Sequence, residues 1–115
     1  MLSPDRLERL RGYLLEEQEN LHHQIVSLEE SSQGSDVGSG NHMAEDATAA
    51  FDQAAAVSLL RVQQTVLAQV ERALAHMANG TYGLCERCRE QIDFARLKAI
   101  PHAPFCMNCQ RFAEL

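Results

Sequence analysis

The chain has 115 residues, enough for one domain or one small domain with an appendage. Hydrophobic residues make up 45% but aromatics only 5%, with no Trp, and eleven alanines fall between Ala44 and Ala78; this suits helices packed along a seam better than a thick core. The formal charge of −6 divides into −7 over residues 1–84 (5 Lys+Arg, 12 Asp+Glu) and +1 over residues 85–115 (5 and 4), and an acidic body without a basic stripe argues against tight, sequence-independent binding to a phosphate backbone.

No apolar run approaches the ~20 residues that cross a bilayer, and the N-terminus MLSPDRLERL lacks the build of a signal peptide. A cytoplasmic protein without membrane contact is expected.

Residues 3–30 predict an amphipathic helix. Ser3 can cap it, Pro4 suits the first helical position, and Asp5 and Glu8 favour the positive end of the helix dipole. Leu7, Leu14, Leu21 and Leu28 recur every seven residues, with Leu10 and Ile25 filling in at helical spacing. Residues 31–41 (SSQGSDVGSGN) hold four Ser and three Gly and read as a flexible turn or linker.

Residues 42–79 predict a second, longer helix. Asn41 is its candidate cap, and Ala44, Glu45, Asp46 and Ala47 supply helix formers and negative charge to the first turns. Leu60, Leu67 and Leu74 are seven apart, with Val70 and Met77 three beyond the last two, a coiled-coil-like stripe. Asn79-Gly80 closes it with a left-handed cap. The two stripes can pair as an antiparallel hairpin within one chain. They can equally pair between two chains, so monomer and coiled-coil dimer both stay open.

Residues 80–115 carry the strongest pattern. Cys85-Glu-Arg-Cys88 is followed after seventeen residues by Cys106-Met-Asn-Cys109. A Cys-x-x-Cys turn delivers two sulfurs to one ion, and two such turns complete the tetrahedron that Zn²⁺ prefers. The shell is closed to water, so one structural zinc is expected on Cys85, Cys88, Cys106 and Cys109. Iron in the same cage, disulfides or a redox pair are the alternatives, although a thioredoxin-like pair would need a βαβ scaffold that the sequence lacks. Four thiolates on one Zn²⁺ leave a charge of −2, which Arg87, Arg89, Arg96 and Lys98 are expected to offset. So short a module, with few large apolar groups, depends on metal to fold.

Other candidates are weaker. His22 and His23 point about 100° apart on a helix and cannot share an ion; His76 and His102 have no partner at ligand spacing. No Ser/His/Asp set, phosphate loop or Cys/His dyad occurs, so the chain is not expected to be an enzyme.

The long second helix with an acidic start, Thr81-Tyr-Gly-Leu-Cys85, the Cys-x₂-Cys-x₁₇-Cys-x₂-Cys spacing and the enclosed Ala95-Arg-Leu-Lys-Ala-Ile-Pro101 together resemble the DksA/TraR family over residues 41–111. The family comprises bacterial transcription factors that bind RNA polymerase rather than DNA. The resemblance implies a coiled-coil hairpin entering the polymerase secondary channel, with its tip near the active centre and the zinc module at the channel rim. It assigns the tip to His42, Glu45, Asp46 and Ala47, and rim contacts to Arg96 and Lys98. His42 departs from the acid of the best-known tip motif, and Asn41-His-Met-Ala-Glu-Asp-Ala-Thr48 looks like a variant from other branches. Basic positions that hold the alarmone ppGpp in the best-known member correspond to Gln69, Ile100 and Gln110, so action without ppGpp is expected.

The expectation is a mainly α protein: a long antiparallel helical hairpin (residues 1–79, linker 31–41) with a small Cys₄ zinc-finger module (residues 80–115). It is expected to regulate transcription by contact with RNA polymerase. The alternatives are a zinc finger that binds nucleic acid directly, and a coiled-coil oligomer or adaptor with a structural zinc.

Overall fold

The computed structural model describes residues 2–32 and 43–115, with side chains given except at residues 31, 32 and 43–47. Four helices follow in order: α1 (Pro4–Ser32), α2 (Met43–Asn79), α3 (Phe94–Ala99) and α4 (Met107–Ala113). The expected linker beyond Ser32, the Asn41 cap and His42 lie outside the described residues. Glu45, Asp46 and Ala47 fall in the first turns of α2.

α1 starts as its sequence directs. The Ser3 hydroxyl accepts from the Arg6 N–H at 3.2 Å, the Ser3 carbonyl accepts from Leu7 at 3.0 Å, and Pro4 opens the first turn. The helix runs two residues past the expected end, because serine is a tolerable helix residue and the first glycine comes only at Gly34. α2 ends in a Schellman cap: Gly80 is left-handed at φ 76°, the Thr81 N–H donates to the His76 carbonyl at 2.9 Å, and the Gly80 N–H donates to Met77 at 3.3 Å.

The two long helices pair within the chain as an antiparallel hairpin. Leu14 and Leu21 of α1 form a buried cluster with Val70 and Ala73 of α2, flanked by Val66, Leu67 and Leu74. The α1 stripe is buried as the spacing predicts, with Leu10, Leu14, Leu21 and Ile25 inside. On α2 Val70 of the predicted stripe is fully buried, Ala73 joins it although the stripe omits it, and the leucines at 60, 67 and 74 are half-buried. A 3.6-residue helix drifts across a strict heptad, so the seam moves off the leucine column.

A second cluster joins the hairpin to the C-terminal module. Leu10 of α1 packs with Cys85, Ile92, Leu97 and Cys109, and Leu2, Met77, Tyr82 and Phe105 close around them. Gly83, at φ 91°, lies where a Cβ would meet Leu2 Cδ1 at 3.4 Å and Leu97 Cδ1 at 3.6 Å. The Arg6 guanidinium stacks 4.2 Å from the Phe94 ring centroid, tying the start of α1 to α3. Among the described residues no helix is long and apolar enough to cross a membrane.

Candidate metal centre

The first cysteine pair sits on a tight turn held by backbone. The Cys85 N–H donates to the Glu90 carbonyl at 2.8 Å, and the Arg89 N–H returns to the Cys85 carbonyl at 2.9 Å. Arg89 closes the turn in the left-handed region, φ 66°, a conformation that costs a residue with a Cβ roughly 1 kcal/mol. An antiparallel bridge between Leu84 and Gln91 continues the loop, and the Ile92 N–H donates to Gly83 at 2.8 Å.

Cys106 is extended, φ −68° and ψ 169°, and immediately precedes α4; Cys109 follows within that helix's first turn. The Glu86 N–H donates to the Pro104 carbonyl at 2.8 Å, which sets the second pair against the first.

All four sulfurs lie within 4.8 Å of one another. Cys88 Sγ and Cys106 Sγ are 3.8 Å apart. Four sulfurs at the usual Zn–S length of about 2.3 Å form a tetrahedron with edges of about 3.8 Å, so the cage fits one Zn²⁺. Cys85 and Cys109 are buried, Cys106 half-buried and Cys88 exposed. The protein has one structural zinc, with a complete thiolate shell and no position left for catalysis.

The thiols differ in acidity. Burial pushes Cys85 up, but N–H groups of Cys88, Cys106 and Arg87 outweigh it and bring the thiol from 9.0 down to about 6. Burial, then the neighbouring sulfurs, push Cys109 up to about 12. At Cys85 the thiolate charge is thus met by short, fixed backbone dipoles.

The cations expected to offset the thiolate charge make contacts of their own. The Arg96 Nε donates to the Phe105 carbonyl at 3.0 Å, and its guanidinium lies 3.0 Å from Met107 Sδ. Arg87 stacks over Phe112 at 4.7 Å. Lys98 is exposed and lines a hollow with Tyr13, Glu16 and Glu17 of α1. Arg96 thus braces the loop that carries Cys106.

One cluster was not legible in the spacing. Glu86, between the first two cysteines, reaches back to α2, where its carboxylate pairs with Arg72 and lies 3.4 Å from His76 Nε2. His76 Nδ1 is 2.7 Å from the Thr81 hydroxyl. A carboxylate only accepts, so Nε2 carries the proton toward Glu86. His76 is a strut rather than a ligand, and its partner ten residues away left no local signal. His22 and His23 are exposed.

A helical hairpin seated on a four-thiolate centre defines a small zinc-finger protein. Residues 80–115 match the prokaryotic dksA/traR C4-type zinc finger. The chain is 35% identical over 77 residues to general stress protein 16O of Bacillus subtilis, covering 67% of this chain and 47% of that protein. It is 30% identical over 53 residues to the RNA polymerase-binding transcription factor DksA of Escherichia coli K12, covering 46% and 35%. Transcription factor DksA2 from Pseudomonas aeruginosa shares the fold, with a TM-score of 0.73 and 23% identity over 97% of this chain and 85% of that one. The chain belongs to the DksA/TraR family. It spans about half the length of the Bacillus relative and about a third of the Escherichia one.

Proposed function

We propose that the chain is a transcription regulator that binds RNA polymerase by inserting its hairpin into the secondary channel. The observation that carries this reading is the union of a dksA/traR-type zinc finger with a hairpin of DksA2 fold, joined by one hydrophobic cluster. The named function of the Escherichia relative supports the polymerase as partner.

Under this reading His42 and the start of α2, with Glu45, Asp46 and Ala47, are the residues that approach the active centre. α2 has 37 residues and a length of ~55 Å at 1.5 Å per residue, a reach that suits such a role. Arg96 and Lys98, both on α3, make the rim contacts. The factor performs no covalent chemistry; it binds some promoter-complex states better than others and shifts the populations.

Action without ppGpp is part of the proposal. Gln69, Ile100 and Gln110 line one groove between α2 and the zinc module, together with Arg96, Arg111 and Glu114. Three neutral residues there leave a polyphosphate short of charge-assisted contacts. Lys98, a candidate substitute cation, lines a different hollow, whereas Arg111 reaches the groove.

The test is co-purification with core RNA polymerase, with and without a competitor occupying the secondary channel, followed by transcription in vitro. Competitor-sensitive binding is expected, with Glu45→Gln or Ala47→Thr abolishing the transcriptional effect while binding persists. Absence of binding to polymerase overturns the reading. A ppGpp-dependent shift that is lost on Arg111→Ala overturns only the alarmone part.

A further inference from the structure

The two cysteine pairs are held in different ways. In the first, Cys85 and Arg89 close the turn through main-chain bonds, and the Cys88 N–H lies 3.5 Å from Cys85 Sγ. The second pair takes a side chain from another helix. Arg96 of α3 donates from Nε to the carbonyl of Phe105, the residue before Cys106, at 3.0 Å. Its Nη1 lies 3.0 Å from Sδ of Met107, the residue after. One guanidinium thus spans a segment whose middle residue is a zinc ligand.

The Phe105 carbonyl and the Cys106 N–H belong to one peptide group, and in a trans peptide they point in opposite directions. Fixing the carbonyl therefore aims the N–H. That N–H is one of the backbone donors to the Cys85 sulfur. Through one peptide plane Arg96 reaches two ligands: it sets where Cys106 stands and how Cys85 is hydrogen-bonded. The clasp is itself anchored. Leu97, the next residue, is 1% exposed and packs in the cluster of Cys85 and Cys109, which fixes α3 against the cage. Arg96 is half-buried, whereas Lys98 on the same helix is exposed.

We infer that Arg96 is a positioning residue of the zinc centre, which orients the Phe105–Cys106 peptide and thereby governs how firmly the metal is kept. Groups that orient metal ligands typically change affinity by about 10–100-fold when removed. A guanidinium carries five N–H donors, so two contacts toward the cage leave others for a partner. The inference rests on the zinc centre and is independent of the polymerase reading.

The experiment loads the full chain with Zn²⁺ and follows transfer of the metal to a chromophoric chelator. Loading with Co²⁺ in parallel records the sulfur-to-metal absorption. Arg96→Gln is expected to release zinc about tenfold faster or more, and to shift the cobalt bands. Arg96→Lys keeps the charge but puts a methylene where Nε donates, so it should behave like Arg96→Gln. Met107→Leu keeps the bond to Phe105, Lys98→Gln keeps the whole clasp, and both should release zinc at the native rate.

Native release from Arg96→Gln overturns the inference. Native release from Arg96→Lys also does, because charge alone then suffices. Faster release with an unchanged cobalt spectrum overturns it as well, since a weaker fold would do as much. Acceleration by Met107→Leu or Lys98→Gln equal to that of Arg96→Gln removes the peptide route and overturns it. Should Arg96→Gln take up no metal, the chain loaded with a spin-active cadmium isotope decides. The native Cys106 amide proton should show scalar coupling to the metal across the Cys85 sulfur, and Arg96→Lys should lose it. Absence of the coupling in the native chain, or equal coupling in both, overturns the inference.

Discussion

The Tyr82 hydroxyl donates a 2.8 Å hydrogen bond to the Pro101 carbonyl, joining the segment after α2 to the one after α3. The ring packs against both buried clusters, the one that holds Leu14 and Val70 and the one that holds Cys85 and Leu97. Its burial pushes the phenol up from 10.0 to about 12, so the hydroxyl stays a donor throughout the physiological range.

Tyr82→Phe should therefore keep the packing and lose only that bond. The Pro101 carbonyl is left short of a donor, and the cost should be about 0.5–1.5 kcal/mol. Urea denaturation of the zinc-loaded protein measures it. A loss well above 3 kcal/mol would mean that the hydroxyl organises more than one carbonyl.

Zinc removal should unfold the C-terminal module first. Cys106→Ser, or a strong chelator, should abolish the order of α3 and α4 and loosen Leu10, which shares their cluster. Most helical dichroism should remain, because Leu14, Leu21, Val70 and Ala73 form a separate seam. Zinc content by metal analysis should be one per chain. Complete loss of helix on chelation would show that the seam cannot stand without the module.

The hairpin core should be the most sensitive packing site. Leu14 is 1% exposed, and Leu14→Ala should cost about 2–5 kcal/mol in the zinc-loaded protein. Leu15→Ala, one residue on and 40% exposed, is the control and should cost under about 1 kcal/mol. Comparable losses at the two positions would contradict the observed register.

His102 makes stability depend on acidity. Burial holds its pKa below 6.5, and the negative charge of Glu17 only partly opposes this. The folded protein thus favours the neutral ring, while the unfolded chain takes up a proton as the pH falls through 6.5. The contribution is present above 6.5 and is lost on acidification. His102→Gln should flatten the fall in urea midpoint between about pH 7 and 5 relative to the native chain. An unchanged slope would show that the ring protonates as easily folded as unfolded.

The clamp at Glu86 should be carried mainly by His76. The Arg72 side chain is 65% exposed, so Arg72→Ala should cost under about 1 kcal/mol after solvent screening. Glu86→Ala and His76→Ala should be non-additive when combined, and a double-mutant cycle reads their coupling. Additive losses would mean that the two side chains are neighbours without being partners.

Local rules made the helix boundaries legible. Ser3-Pro4 and Asn79-Gly80 act within four residues of themselves, so their sequence is sufficient. The cysteine spacing was as informative, because a tetrahedral ion permits few arrangements of ligand pairs. The α2 seam was less so: Val70 was named and is buried, but Ala73 is buried outside the named stripe, since a small residue in a close helix contact carries no hydropathy signal of its own. Glu86, His76 and Arg72 were illegible for a different reason. Their contact depends on how the zinc turn lies against the end of α2, and that orientation exists only once both clusters have formed.

The shared packing of Leu10 with Cys85 and Cys109 makes the hairpin a lever whose fulcrum is the zinc centre. Over the ~55 Å of α2, a tilt of about 5° at that fulcrum displaces the far end of the helix by roughly 5 Å. Aim is thus set at the root: a change of one methylene at Leu10, remote from the start of α2, redirects the far end without altering any residue there.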